Sequence, residues 1–186
     1  MRIVHCGGNR MGSRVLDTLM RSGDEVTSVT DLAELRAAVE QPVDWLVSAG
    51  FREIIPTDIL ERASTAINLH PSLLPWGRGA NPNVWVLTAG EPAGVTLHEM
   101  VAKVDAGRVY AQREIDTSLA DTGLSLYLRL EEAAVALFEE VWPRLRDGQI
   151  EPKPQPPGGS YHRVADMRAL ARIDLSFDRN DFVFSV

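Results

Sequence analysis

Short β-branched runs alternate with helical patterns through the first half of the chain, and this rhythm limits the possible folds more than any other feature. Neighbouring parallel strands need a crossover long enough to hold a helix, so the rhythm predicts an α/β fold: a mostly parallel, twisted sheet with helices on both faces. Ile3–Cys6 reads as a first strand ending in Gly7-Gly8-Asn9. A helix is expected from about Ser13 to Ser22, with Val15, Leu16, Leu19 and Met20 on one face and Gly23 suited to a left-handed cap. Glu25–Thr30 is a second strand. Asp31 and Glu34 have capping-box spacing ahead of Leu32, Leu35 and Val39, and Pro42 ends that helix. Trp45–Ala49 is a third strand, Pro56 opens a short helix through Ala63, and Ala66–Leu69 is a fourth strand. Asn68 and His70 therefore stand at a strand's carboxyl end, where open α/β sheets bind ligands.

The second half changes character. Gly94–Val101 and Val109–Ile115 read as two strands joined through Asp105-Ala106-Gly107; with no helix between them they should form an antiparallel hairpin. A long helix is expected from about Thr122, with Leu130, Ala134, Leu137, Phe138, Val141 and Leu145 as its buried stripe and Gly148 beyond its end. Glu151–Ser160, rich in proline, reads as an extended segment crossing the surface. Beyond it lie a short helical pattern at Val164–Arg172 and the apolar ending Phe182-Val183-Phe184. The domain reading is a catalytic unit over 1–148, with 149–186 as a proline-rich segment and tail packed on the same unit.

Composition narrows the function. Nineteen basic residues against 26 acidic ones give a formal charge of −7, which repels a polyphosphate backbone, so nucleic acid is not an expected partner. The single cysteine, Cys6, excludes an internal disulfide, and no charged and apolar leader precedes the first strand; a reducing, cytoplasmic setting is expected. No apolar run approaches the ~20 residues that span a bilayer, so no membrane is expected. No cluster of His, Cys and carboxylates has ligand spacing, so no metal is expected. The sequence does not specify an oligomeric state.

Three stretches carry chemistry. Ala49-Gly50-Phe51-Arg52-Glu53-Ile54-Ile55 is one. Asn68-Leu69-His70-Pro71-Ser72-Leu73-Leu74-Pro75 with Arg78-Gly79 is the second, and Gly94-Val95-Thr96-Leu97-His98 running on to Val104-Asp105-Ala106-Gly107 is the third. Singly each is weak: Asn68 could cap a loop, His70 could be a satisfied histidine before a turn, and Asp105 could be a hairpin-turn aspartate. In this order and spacing they resemble the folate-dependent formyltransferase family. The resemblance implies a Rossmann-like formyltransferase fold and transfer of a formyl group from 10-formyltetrahydrofolate to a primary amine. It implies Asn68, His70 and Asp105 as the catalytic trio. It places the donor against Phe51, Arg52, Glu53, Ile54, Ile55, Met100 and Val104, and the acceptor against Asn9, Arg10, Met11, Ser72, Arg78, Gly79 and Trp85. It also suggests a cis Leu74–Pro75 bond.

The chemistry of such a trio agrees with the resemblance. An amine attacking a formyl carbon creates an oxyanion that a carboxamide N–H and an imidazole can stabilise, while a carboxylate tunes the imidazole or moves the amine's proton through water. The expected acceptor is a small amine, either a nucleotide-linked amino sugar or an aminoacyl group, the latter compatible with a carrier-protein partner. The alternatives are a glycinamide ribonucleotide formyltransferase, a formyltetrahydrofolate hydrolase and, outside enzymes, a folate-binding or partner-binding module. His5 and His98, inside strands, read as packing residues. His162 is open between surface and acceptor-site lining. The Gly7–Gly12 turn could seat a phosphate with help from Arg10 and Arg14, or could be glycine-rich for structural reasons alone.

Overall fold

The computed structural model describes residues 1–167; the later part of the 164–172 helical pattern and the Phe182-Val183-Phe184 ending lie outside the described residues. In chain order the elements are β1 (Arg2–Cys6), α1 (Arg10–Arg21), β2 (Glu25–Val29), α2 (Leu32–Ala38), β3 (Val43–Ala49), α3 (Thr57–Leu60), β4 (Ala63–His70), β5 (Arg78–Gly79), α4 (Pro82–Ala89), β6 (Gly94–Glu99), β7 (Val109–Glu114), α5 (Gly123–Arg146) and β8 (Tyr161–His162), followed by a 3₁₀ turn at Val164–Asp166. Six strands form one sheet in the order β2-β1-β3-β4-β6-β7. β1 to β4 are mutually parallel, whereas β6 runs antiparallel to both β4 and β7. The expected mixed sheet with a hairpin in the second half is what the chain forms.

Alternating side chains sort the core into two layers. Ile3, Trp45, Val47, Ile67, Leu69, Val95 and Leu97 face one side, where α1 contributes Val15 and Leu19 and α5 contributes Leu130, Phe138 and Trp142. Val4, Cys6 and Leu46 face the other, against Leu35 of α2 and Ile59 of α3. The expected stripe of α5 is buried throughout, joined by Leu126, Val135 and Trp142. Trp142 meets Trp45 edge-on at 5.2 Å and stacks on Phe138 at 5.3 Å, an aromatic joint between helix and sheet.

Several expected boundaries move for local reasons. α1 begins at Arg10 because the Asn9 side chain accepts from the Gly12 N–H at 2.8 Å, capping the helix a turn earlier than the sequence pattern suggests. The short helix after Pro56 stops at Leu60 because the parallel ladder pairs Val43 with Ala63 and claims the following residues for β4. At α2, Asp31 caps the Glu34 N–H at 2.8 Å, but the Glu34 carboxylate takes the Thr30 N–H, and the Leu32 N–H goes to Glu53 at 2.9 Å. The α4 helix was not legible in the sequence. The Gly7–Gly12 turn presses on β3: a Cβ on Gly7 would lie 2.0 Å, and one on Gly12 2.6 Å, from the Ala49 carbonyl oxygen, so packing alone requires both glycines.

His5 is fully buried in β1, with Nδ1 3.0 Å from the Ser28 hydroxyl. Burial depresses its pKa from 6.5 to about 4. The unfolded chain therefore takes up this proton first; the stability tied to a neutral His5 is fully present above the ordinary imidazole value and is lost as pH falls toward 4. Stability measured by urea denaturation should fall across that window, and a His5→Gln variant should lose its share of the slope, about 3 kcal/mol in total. An unchanged slope in the variant would show that another group carries it.

Candidate active site

Strand parity assembles the site. Ile67 and Leu69 of β4 face the α1/α5 layer, so Asn68 and His70 face the opposite side. The register pairs Asn68 with Ser48 of β3 and with His98 of β6. The carboxyl end of β4 thus carries a carboxamide and an imidazole on one face, with a second imidazole beside them. On this face α2 packs over β1 and β2 and α3 over the start of β4, and beyond them a cleft of about 470 Å³ opens over the carboxyl end of β4 and over β6.

The loop from β6 to β7 brings the carboxylate. Asp105 Oδ2 lies 3.7 Å from His70 Nε2 and Oδ1 lies 3.5 Å from His98 Nε2; the aspartate side chain is only 10% exposed. The Gly79 N–H donates to Asp105 Oδ2 at 2.8 Å. His70 Nε2 stands 2.9 Å from the Gly77 carbonyl; a carbonyl can only accept, so Nε2 carries the proton. By the same argument His98 donates from Nδ1 to the Glu99 carbonyl at 2.7 Å, and its Nε2 stands 3.3 Å from Asn68 Nδ2. Burial alone would raise the Asp105 pKa, but the His70 and His98 rings and the Gly79 N–H outweigh it and hold the carboxyl well below the usual range. Burial lowers the His70 pKa below its ordinary value, with Asp105 opposing and His98 assisting. The resting site is an ionised carboxylate beside a neutral imidazole.

The turn after β4 is pinned from the sheet. Thr96 accepts from the Leu74 N–H at 3.1 Å and donates to the Ser72 carbonyl at 2.7 Å, and Gln112 donates to the Leu74 carbonyl at 2.7 Å. The Leu74–Pro75 bond is cis, as expected. A second cleft of about 330 Å³, walled by Pro71, Asn81, Asn83 and Tyr127, shares His70 and Gly79 with the first. His70 therefore stands where the two clefts touch, with Asn68 and Asp105 beside it in the larger one.

All seven residues expected against the donor, Phe51, Arg52, Glu53, Ile54, Ile55, Met100 and Val104, line the larger cleft, together with Asn68, His70 and Asp105. The residues expected against the acceptor scatter. Gly79 lines both clefts. Met11, 2% exposed, is instead a core residue, because the earlier helix start turns it inward with Val15 one turn on. Ser72 is buried at 3% and lines neither cleft. Arg78 donates to Gln155, and Arg10 pairs with Glu132 on the surface. Asn9, besides capping α1, reaches Glu131 at 3.3 Å. Trp85 is 8% exposed and stacks on His162 at 3.9 Å. His98, read from the sequence as a packing residue, is in contact range of both Asn68 and Asp105; a lone strand histidine gave no signal of that. His162 lines the larger cleft and pairs with Glu91 at 2.7 Å.

Comparison with known proteins places these features in context. The family described as formyl transferase matches residues 14–142. A formyltransferase from Anoxybacillus kamchatkensis, solved with UDP-4,6-dideoxy-4-formamido-L-AltNAc and tetrahydrofolate, is 40% identical; the match covers 91% of this chain and 89% of that one, with a TM-score of 0.82. A sugar N-formyltransferase from a Shewanella species, at 23% identity and a TM-score of 0.83 over 96% and 82% of the two chains, shares the fold. So does an N-formyltransferase from Helicobacter canadensis solved with folinic acid and dTDP-3-aminofucose, at 19% identity and a TM-score of 0.82 over 93% and 74%.

The geometry makes a prediction independent of any reaction. Asp105 raises the proton affinity of His70, so an Asp105→Asn substitution should push the His70 pKa lower still. Imidazole NMR titration reads this directly, and an upward shift would contradict the arrangement described.

Proposed function

The chain belongs to the formyl transferase family, and from that premise we propose that it transfers a formyl group from 10-formyltetrahydrofolate to the primary amine of a nucleotide-linked amino sugar. The observation that carries the reading is the junction itself: His70 lines both clefts, with Asn68 and Asp105 beside it in the larger one, so a donor in one cleft and an acceptor reaching in from the other can meet at these groups. The larger cleft suits the donor. Phe51, Ile55, Leu60 and Met100 offer apolar walls for a flat heteroaromatic ring, and exposed Arg52 stands on its lining, suited to a carboxylate-bearing tail. The nucleotide-linked formamido sugar held by the Anoxybacillus relative supports a sugar over an aminoacyl acceptor.

The donor is consumed, so it is a substrate, and it supplies a one-carbon unit already activated on nitrogen. The acceptor amine attacks the formyl carbon; a new C–N bond forms, the bond from that carbon to the donor nitrogen breaks, and one proton passes from the acceptor nitrogen to the departing nitrogen. Asn68 offers a carboxamide N–H to the developing oxyanion. His70, neutral at rest, offers a second polar contact where its Nε2–H is shared between the Gly77 carbonyl and the oxyanion. Asp105, ionised at rest, accepts the amine's proton through a water and returns it to the leaving nitrogen. No enzyme nucleophile is required: the thiol of Cys6 is buried beneath α2 with its pKa raised by burial to about 12.

The test is turnover of 10-formyltetrahydrofolate across a panel of amines that includes nucleotide-linked amino sugars. Asp105→Ala should lower kcat by about 100-fold or more, and Asn68→Ala should cost on the order of 100- to 1,000-fold. Full activity of Asp105→Ala would remove that residue from the mechanism; formate release indifferent to every amine would favour hydrolysis.

A further inference from the structure

Asp105 adopts φ 51°, in the left-handed region where a non-glycine residue needs support from its surroundings. Two residues on, Gly107 lies so close to β6 that a Cβ there would sit 2.0 Å from the Glu99 carbonyl oxygen. Support comes from the proline-rich segment. Gln155 Nε2 donates to the Asp105 carbonyl and to the Gly107 carbonyl, each at 2.8 Å. Gln155 Oε1 accepts from Arg78 Nε at 3.1 Å and from its terminal nitrogen at 2.7 Å. Two carbonyls can only accept and a guanidinium can only donate, so the orientation of the amide is dictated, and its polar capacity is fully used.

The segment can deliver Gln155 there because its backbone is anchored at both ends. Lys153 exchanges two hydrogen bonds with Val109 at the start of β7, at 2.7 and 2.8 Å. On the other side Ser160 accepts from the Arg78 N–H at 3.3 Å and donates to the Pro75 carbonyl at 3.1 Å, and β8 pairs with β5. A closed ring results: the Asp105 carboxylate is held by Gly79, the neighbouring Arg78 holds Gln155, and Gln155 holds the Asp105 backbone.

We infer that Gln155 is a positioning residue for the reaction, fixing the Asp105 backbone so that its carboxylate meets His70 and His98. This rests on the formyl-transfer reading, in which Asp105 moves the proton. A carboxylate swinging on a loosened loop loses about 100-fold in rate per ångström of misplacement, whereas of the residues expected against the donor only Val104 adjoins Asp105.

Gln155→Glu isolates the effect. A glutamate keeps an acceptor for Arg78, strengthening that link, but has no N–H for the two carbonyls and repels them. Gln155→Ala removes both links, and Lys153→Ala, an exposed side chain on the same segment, is the control. The expected result for Gln155→Glu is a kcat lower by about 10- to 100-fold, with KM for the donor within about threefold and melting temperature near wild type. In the same variant the Asp105 carboxyl, followed by ¹³C NMR with labelled aspartate, should titrate at higher pH. Lys153→Ala should change none of these. An unmoved carboxyl titration with unchanged kcat in Gln155→Glu overturns the inference, as does a loss of kcat that Lys153→Ala matches. Wild-type protein that turns over no amine overturns the reaction assigned to the site, while the carboxyl titration still decides the clamp.

Discussion

A carboxylate held at a tenth of its exposed area must be compensated where it sits, and the site is organised around that requirement at Asp105. Solvent supplies little of the compensation. Two imidazoles and a backbone N–H supply the rest, and each belongs to a different part of the fold: His70 to the end of β4, His98 to β6, Gly79 to β5. The ionised state of one side chain therefore ties together elements that share no sequence neighbourhood. It also explains why His70 stays neutral at rest despite an adjacent anion: burial disfavours the imidazolium more than Asp105 favours it.

The switch from parallel to antiparallel pairing at β4 is what gathers the groups. β4 extends the parallel ladder from β3, so its carboxyl end lies with those of β1 and β3. β6 enters in the opposite sense and places its own carboxyl-terminal half beside the same residues, with His98 opposite Asn68. A further parallel strand would have run on into a crossover helix, with no short hairpin loop to fold back over the site. The hairpin instead sends the chain through the Asp105 loop within reach of His70.

Much of this was legible before the structure. The strand–helix rhythm located β1 to β4, because strands buried on both faces carry β-branched runs that polar helix faces interrupt. The trio was legible through three motifs whose joint spacing is specific. What stayed hidden has physical causes. α4 follows the turn-rich Gly77–Asn81 stretch, opens with Pro82 and lacks a polar face over Val84–Leu87, so no helical period stands out. β5 and β8 are two residues each, too short to show any period. The burial of Met11 and Ser72, both expected against the acceptor, was hidden because sequence spacing reveals neither the helix cap at Asn9 nor the inward turn after His70. His98 and Gln155 act through partners remote in the chain, and a single polar residue carries no record of such partners.

The loop through Gly77–Gly79 shows how little side-chain chemistry is needed to couple His70 to Asp105. Its Gly77 carbonyl receives the His70 Nε2 proton, and its Gly79 N–H is given to Asp105. One short backbone stretch thus sets the tautomer of the imidazole and anchors the carboxylate. Both glycines have left-handed φ, 65° and 90°, and a Cβ on Gly79 would stand 2.2 Å from the His162 carbonyl oxygen. Any side chain there would separate β5 from β8 and, with it, the backbone donor from Asp105. Because Gly79 lines both clefts, the backbone donor that anchors the Asp105 carboxylate is also a wall common to the two.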